Sequence, residues 1–224
     1  MNDAGDIQAV IFDMDGVLTD SEPLICAAAV AMFKEKGIVV RPDDFRPFVG
    51  TGENRYIGGV AEKYGFPLDI LSAKKRTYEI YLDLVPEHLQ AFPGVQSLVR
   101  SCRETGLKIA LASSADAIKI DANLRKIGLP PEQWNAIVTG EDVERRKPEP
   151  DIFLYAAQKL AILPSRCVVV EDAVNGIQAA KAAGMRCVAV AQTFPAEQLM
   201  EADLVCKSVA ELTLADLTGR EELA

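Results

Sequence analysis

Short apolar runs alternate with helical patterns along most of this chain, and no other feature restricts its fold as strongly. The runs cover residues 9–12, 107–112, 136–139, 167–170 and 187–190. Strands that are apolar throughout are typical of parallel sheets, because helices cover both faces of such sheets. We therefore expect an α/β protein with a Rossmann-like, doubly wound parallel sheet.

The alternation of strands and helices is interrupted once, between the first and second runs. Residues 22–90 contain helical patterns and no strand signal of similar strength. An insertion of several helices after one strand predicts a small helical cap domain. We expect a core domain from residues 1–20 and 91–224 and a cap from residues 21–90. A last run, residues 204–206, is expected to form an edge strand.

Composition narrows the range of partners. The formal net charge of −9 argues against a nucleic-acid-binding protein, which needs a basic surface. The five cysteines are scattered without metal-ligand spacing, which favours reduced thiols in the core. Residues 1–6 do not resemble a signal peptide, and no apolar run is long enough to span a membrane. We expect a cytoplasmic protein with neither a nucleic-acid nor a membrane partner.

Polar side chains follow the apolar runs at the points where the predicted strands end. Because ligands bind beyond the carboxyl ends of parallel strands, these side chains are expected to share one site. Two close aspartates at a strand end repel each other unless a cation neutralises them. The pattern therefore favours a catalytic role for these residues over a purely structural one. The expected site contains four carboxylates, two hydroxyls and an ammonium, from Asp13, Asp15, Glu171, Asp172, Ser113, Ser114 and Lys147.

This set of side chains suits phosphoryl transfer. Clustered carboxylates select a hard divalent cation, and Mg²⁺ is favoured. Ser113 and Lys147 would donate hydrogen bonds to a phosphoryl group. Asp13 would attack phosphorus, while Asp15 would protonate the leaving oxygen and later deprotonate water. Ser114 serves either as a second phosphate ligand or only as a cap of the following helix.

The chain resembles the haloacid dehalogenase superfamily, in its phosphatase and β-phosphoglucomutase-like branch. The resemblance covers the whole chain and rests on four motifs in the family's order: Asp13-Met14-Asp15-Gly16-Val17, Ser113, Lys147-Pro148 and Glu171-Asp172. It implies that Asp13 forms an aspartyl-phosphate and that Asp15 is the general acid and base. It also implies that Asp13, the Asp15 carbonyl and Asp172 bind Mg²⁺, with support from Glu171. The implied function is hydrolysis of a small sugar phosphate or organic phosphate, by a protein that is expected to be a monomer.

The cap is expected to select the substrate. The resemblance places a specificity loop near Gly50-Thr51-Gly52, so Thr51, Glu53 and Arg55 are candidate substrate-facing residues. Arg145 and Arg146 are expected on the surface.

Three alternatives to a phosphatase remain open. The first is a β-phosphoglucomutase, which resembles this chain in its core motifs. The mutase has a cap histidine where this chain has Ile25, and a cap arginine near the position of Glu53. The second is a phospho-accepting receiver domain, which has no helical insertion and a different order of motifs. The third is a pseudo-enzyme used for binding, although every motif position is intact.

Overall fold

The computed structural model describes residues 6–219 and contains six β-strands. In chain order, the strands are β1 (Ala9–Phe12), β2 (Lys108–Ala112), β3 (Ala136–Val138), β4 (Cys167–Glu171), β5 (Arg186–Val190) and β6 (Leu204–Cys206). They form one parallel sheet in the order β3-β2-β1-β4-β5-β6. Strands β2 and β3 lie on one side of β1, and β4, β5 and β6 lie on the other side. This is the doubly wound arrangement expected from the sequence.

Eight α-helices connect and cover these strands within the described residues. They are α1 (Glu22–Glu35), α2 (Glu53–Lys63), α3 (Ile70–His88), α4 (Val95–Glu104), α5 (Ala117–Lys126), α6 (Asp151–Leu160), α7 (Val174–Ala182) and α8 (Leu214–Thr218). The apolar runs predicted as strands differ from the observed strands by at most one residue at either end. Helix α3 continues through Pro86 to His88.

The core has two layers because side chains alternate across the sheet. In β1, Val10 and Phe12 belong to one apolar cluster, and Ala9 and Ile11 belong to the other. All four side chains are fully buried. Helices α6 and α7 pack on the face that includes Ile11, while α4 packs on β2. The fully apolar strands of the sequence are thus explained by burial on both faces.

Helices α1, α2 and α3 form the insertion between β1 and α4, and they pack on one another. We call residues 21–90 the helical insertion. Helix α3 also contacts α5 of the core, where Tyr81 donates a hydrogen bond of 2.8 Å to Asn123. Lys74 of α3 lies 2.5 Å from Asp116, just before α5. The domain division at residues 20 and 90 stays a prediction, and its outer limits include residues 1–5 and 220–224, which lie outside the described part.

Two further sequence expectations concern thiols and membranes. All five cysteines are free, and Cys102, Cys167 and Cys187 are buried. Among residues 6–219, none of the helices combines the length and the apolar character that a bilayer span requires.

We predict that Ile11→Ala lowers the free energy of unfolding by about 2–5 kcal/mol, because a fully buried side chain leaves a cavity in the centre of the sheet. Ile118→Ala is the matched control, since Ile118 is 52% exposed on α5 and its truncation should change stability by about 0.5 kcal/mol or less. Urea unfolding of the three proteins measures both effects. Equal losses in the two variants would contradict the described core.

Candidate active site

One cavity lies at the carboxyl ends of β1, β2 and β4, and it encloses about 70 Å³. All seven side chains that the sequence predicted for this edge of the sheet line it: Asp13, Asp15, Ser113, Ser114, Lys147, Glu171 and Asp172. Residues of the helical insertion, including Ile25, Gly50 and Glu53, form the opposite wall. The strand ends and the insertion therefore enclose the site together.

The Lys147 ammonium is the centre of an ion-pair cluster on the core side of the cavity. Its Nζ atom lies 2.6 Å from Asp13 Oδ1 and 2.5 Å from Glu171 Oε1. All three side chains are buried. Burial alone would lower the pKa of Lys147, but the two carboxylates outweigh burial and raise it above its usual value. The lysine thus stays charged and holds together two neighbouring strands.

Glu171 is fixed on both of its oxygens. Oε1 accepts from Lys147, while Oε2 accepts from the backbone N–H groups of Asp172 and Ala173 at 2.9 and 3.0 Å. A Cβ atom on Gly176 of α7 would lie 1.9 Å from Glu171 Oε1. Glycine is therefore required at position 176 to leave room for the carboxylate. In this arrangement Glu171 positions Lys147. Only the lone pairs of Glu171 that accept no hydrogen bond would face a metal.

Asp13 and Asp172 are held close to other negative charges in a dry site. Burial is the main cause that raises the pKa of Asp13 to about 7, and Glu171 and Asp15 add to it, against the opposing effect of Lys147. Burial, Glu171 and Asp13 likewise raise the pKa of Asp172 well above its usual value. Both carboxyl groups would ionise more readily with a cation beside them.

The turn after β1 brings Asp172 against the backbone. Gly16 has a φ of +80°, and a Cβ atom there would lie 1.8 Å from Asp172 Oδ2. Only glycine fits both the backbone conformation and the contact. Asp172 therefore reaches the loop that carries Asp13 and Asp15.

The donor set fits a hard divalent cation. No group of three histidine, cysteine, aspartate or glutamate side chains converges as a metal site among residues 6–219. The ligands implied by the family resemblance are Asp13, the Asp15 carbonyl and Asp172, with Glu171 in support. The buried oxygens of Asp13 and Asp172, whose carboxyl pKa values are both raised, suit Mg²⁺. The metal itself remains a proposal.

The two serines follow β2 but do not cap α5. The Ser113 hydroxyl is buried and accepts a hydrogen bond of 3.2 Å from the Ala115 N–H. The Ser114 carbonyl accepts a bond of 3.1 Å from Arg146 Nη1. The residue that precedes α5 is Asp116, so the alternative of Ser114 as helix cap is wrong. Both serines line the cavity instead.

The expectation that Arg146 is a surface residue is also wrong. Arg145 is exposed and pairs with Asp151 at 2.6 Å, but Arg146 is partly buried. A Cβ atom on Gly52 would lie 1.9 Å from Arg146 Nη1, so this arginine packs under the loop of the helical insertion. It connects that loop to Ser114 of the core.

The three candidate residues of the insertion point in different directions. Glu53 lines the cavity and is 6% exposed. Thr51 does not line the cavity, and its hydroxyl donates a bond of 2.7 Å to the Phe48 carbonyl. The expectation that Arg55 faces the substrate is wrong, because its side chain is 53% exposed and pairs with Glu62 at 2.8 Å.

Lys119 is the main site residue that sequence reasoning missed. Its Nζ lies 2.8 Å from Asp15 Oδ2 and 3.3 Å from Glu53 Oε1, and its side chain is 3% exposed. Burial would lower the pKa of Lys119, but the two carboxylates raise it well above its usual value. The sequence does contain a signal for this residue, because the helical spacing puts Lys119 on the same buried face of α5 as Ile120, Asn123 and Leu124. A charged residue on an apolar helix face requires buried partners.

A second polar pair was also missed. Tyr56 of α2 donates a hydrogen bond of 2.7 Å to Glu22 Oε1, at the start of α1, and both residues line the cavity. Burial is the main cause that raises the pKa of Glu22 from 4.5 to about 7. On the core side, Asn175 donates a bond of 3.0 Å to the Gly50 carbonyl.

Comparison with known proteins places this geometry in one family. A family model described as haloacid dehalogenase-like hydrolase matches residues 7–184. Hexitol phosphatase B of Escherichia coli is 33% identical, with 95% of this chain and 97% of the relative covered. Beta-phosphoglucomutase of Bacillus subtilis is 34% identical, with 93% and 92% covered.

A plant relative and a solved structure extend the comparison. The chloroplastic protein SUPPRESSOR OF QUENCHING 1 of Arabidopsis thaliana is 49% identical over 97% of this chain, and this chain spans 21% of that relative's length. The crystal structure of CbbY from Rhodobacter sphaeroides in complex with phosphate is 30% identical. It has a TM-score of 0.86, and 94% of this chain and 99% of that chain are covered.

We predict that stability depends on the ionisation of Glu22 in the metal-free protein. Its pKa is 4.5 in ordinary surroundings and about 7 in the folded chain, so the folded state holds more protons between these values. The free energy of unfolding should therefore fall as the pH rises from about 4.5 to 7. Glu22→Gln should remove this part of the pH dependence, which amounts to a few kcal/mol at most.

Urea unfolding at several pH values, in the presence of EDTA, measures this difference. The exposed Glu87 of α3 provides the control, since Glu87→Gln should leave the pH dependence unchanged. A constant stability difference between wild type and Glu22→Gln across this range would contradict the prediction.

Proposed function

The chain belongs to the haloacid dehalogenase-like hydrolase family, and we propose that it is a Mg²⁺-dependent phosphomonoester hydrolase that works through an aspartyl-phosphate. The family and its phosphatase-named relatives make it a phosphatase enzyme. The observation that carries the finer proposal is the buried Asp13 at the end of β1, held by Lys147 and facing a second carboxylate pair at the end of β4. Its proposed substrate is a small phosphorylated sugar or other organic phosphate.

Asp13, Asp172 and the Asp15 carbonyl would hold the metal. When bound, Mg²⁺ would offset the negative charge of these carboxylates and of the transferring phosphoryl group. Lys147 and Ser113 line the same cavity and would bind phosphoryl oxygens. Ser114 adds a hydroxyl beside them.

The proposed reaction has two displacements at phosphorus. In the first, an oxygen of Asp13 bonds to phosphorus, the bond to the leaving oxygen breaks, and Asp15 gives that oxygen a proton. In the second, water attacks phosphorus, Asp15 takes a proton from the water, and the bond to Asp13 breaks. Phosphate is released, and both aspartates return to their starting states.

A phosphomutase is the second candidate, favoured by the similarity to beta-phosphoglucomutase of Bacillus subtilis. Ile25 lines the cavity, at the position where the resemblance places the mutase histidine. An isoleucine has no group that moves protons or donates hydrogen bonds. Hydrolysis is therefore the preferred proposal, with residues 21–90 acting as a cap that selects the substrate. A cytoplasmic monomer with neither a nucleic-acid nor a membrane partner remains our prediction.

We predict that Asp13→Asn lowers kcat by about 10³-fold or more, because the amide is a poor nucleophile. Phosphate release from a panel of monoesters, including p-nitrophenyl phosphate and β-glucose 1-phosphate, measures this change. Asp20→Asn is the matched control, since Asp20 is exposed on the same loop. Near-wild-type activity in Asp13→Asn would contradict the assigned nucleophile, and formation of glucose 6-phosphate without phosphate release would favour the mutase.

We further predict that EDTA abolishes activity and that Mg²⁺ restores it. Ca²⁺ should restore little, because its longer and more variable coordination aligns the reacting groups poorly. Phosphate release from p-nitrophenyl phosphate after addition of each ion measures the effect. Full activity in EDTA, or equal activity with the two ions, would contradict a site built for Mg²⁺.

A further inference from the structure

The helical insertion places one buried carboxylate oxygen at the cavity without a partner. Glu53 begins α2, is 6% exposed and lines the cavity. Its Oε1 lies 3.3 Å from Lys119, while its buried Oε2 has no hydrogen-bond partner among the described residues. Leaving a buried carboxylate oxygen unpaired is costly, so its presence at a cavity points to a donor that a ligand brings.

The donor would lie close to the reacting bond. The Lys119 ammonium contacts Glu53 on one side and Asp15 on the other, at 3.3 and 2.8 Å. One ammonium group thus separates Glu53 from the proposed acid that protonates the leaving oxygen. A group hydrogen-bonded to Glu53 would belong to the part of the substrate that carries this oxygen.

We propose that Glu53 accepts a hydrogen bond from a hydroxyl of the leaving group, and that Lys119 holds Glu53 in place for this contact. The substrate class is therefore a monoester of a polyol or sugar, with a hydroxyl near the phosphorylated oxygen. This inference rests on the proposed phosphatase function and names the substrate of the same site.

The charges around Glu53 also disfavour a substrate with two phosphates. Lys119 and Lys147 are the two cationic side chains that line the cavity within residues 6–219, and each is already paired with two carboxylates. Arg55, on the same helix as Glu53, points away from the cavity and pairs with Glu62. A second phosphate at the insertion would meet Glu53 without a free cation.

Glycerol 3-phosphate and propyl phosphate test the proposal, because they differ only in the two hydroxyl groups of glycerol, one of which is on the carbon next to the phosphorylated carbon. We expect wild type to favour glycerol 3-phosphate by about 10-fold or more in kcat/KM, with most of the difference in KM. Glu53→Ala should remove most of this preference, which lowers the ratio by about 10-fold. Glu53→Gln keeps an accepting oxygen, so it should retain part of the preference. Glu62→Gln, an exposed change on the same helix, should keep the ratio.

A binding measurement separates this inference from the proposed reaction. Titration calorimetry with Mg²⁺ compares the affinities for the two esters in the Asp13→Asn protein and in the Asp13→Asn, Glu53→Ala double variant, which lacks the accepting oxygens. A preference for glycerol 3-phosphate that Glu53→Ala removes would support the hydroxyl site, even if no ester were hydrolysed and the phosphatase proposal had failed. Equal affinities in the Asp13→Asn protein, or a preference that survives Glu53→Ala, would overturn the hydroxyl site, whatever the activity of the wild type.

Discussion

The buried ammonium of Lys147 is the interaction on which the rest of the site depends. It lies between Asp13 of the β1 end and Glu171 of β4, at 2.6 and 2.5 Å. Removing either partner of such a buried cluster leaves an uncompensated charge, which is strongly destabilising. The neighbouring positions of β1 and β4 in the sheet and the absence of a side chain at Gly176 are both needed to form it. The fold thus holds the proposed nucleophile, Asp13, in place at a stability cost that a purely structural site would avoid.

Lys119 extends the same principle from the core to the helical insertion. Its ammonium contacts Asp15 of the core loop and Glu53 of the insertion, and Asn175 and Arg146 of the core pack against the loop at Gly50 and Gly52. These contacts position the insertion over the side of the cavity that the strand ends form. Enclosure by such an element excludes bulk water, which strengthens the electrostatic interactions inside the cavity.

The sequence predicted which core residues line the cavity, because strand ends define that side of it. Apolar runs locate β1, β2 and β4, and the polar residues that follow them necessarily share one edge of a parallel sheet. The residues of the insertion that line the cavity were harder to predict, because the rotation of each helix about its axis decides which side chains face inward. Glu53 and Arg55 are two residues apart on α2, so they point to different sides of the helix, and only Glu53 reaches the cavity. Lys119 has a partner in each of two distant segments, and sequence pattern alone does not identify such pairings.

Direct identification of the phosphorylated side chain tests the central claim, that Asp13 is the nucleophile. Asp15→Asn protein with Mg²⁺ and p-nitrophenyl phosphate should accumulate the covalent intermediate, because the second displacement lacks its base while the nitrophenolate leaves without an acid. Acid quenching and borohydride reduction would convert an aspartyl-phosphate to homoserine, which peptide mass spectrometry locates. The account predicts homoserine at position 13. Homoserine at another carboxylate, or turnover of the ester with position 13 unmodified throughout, would contradict it.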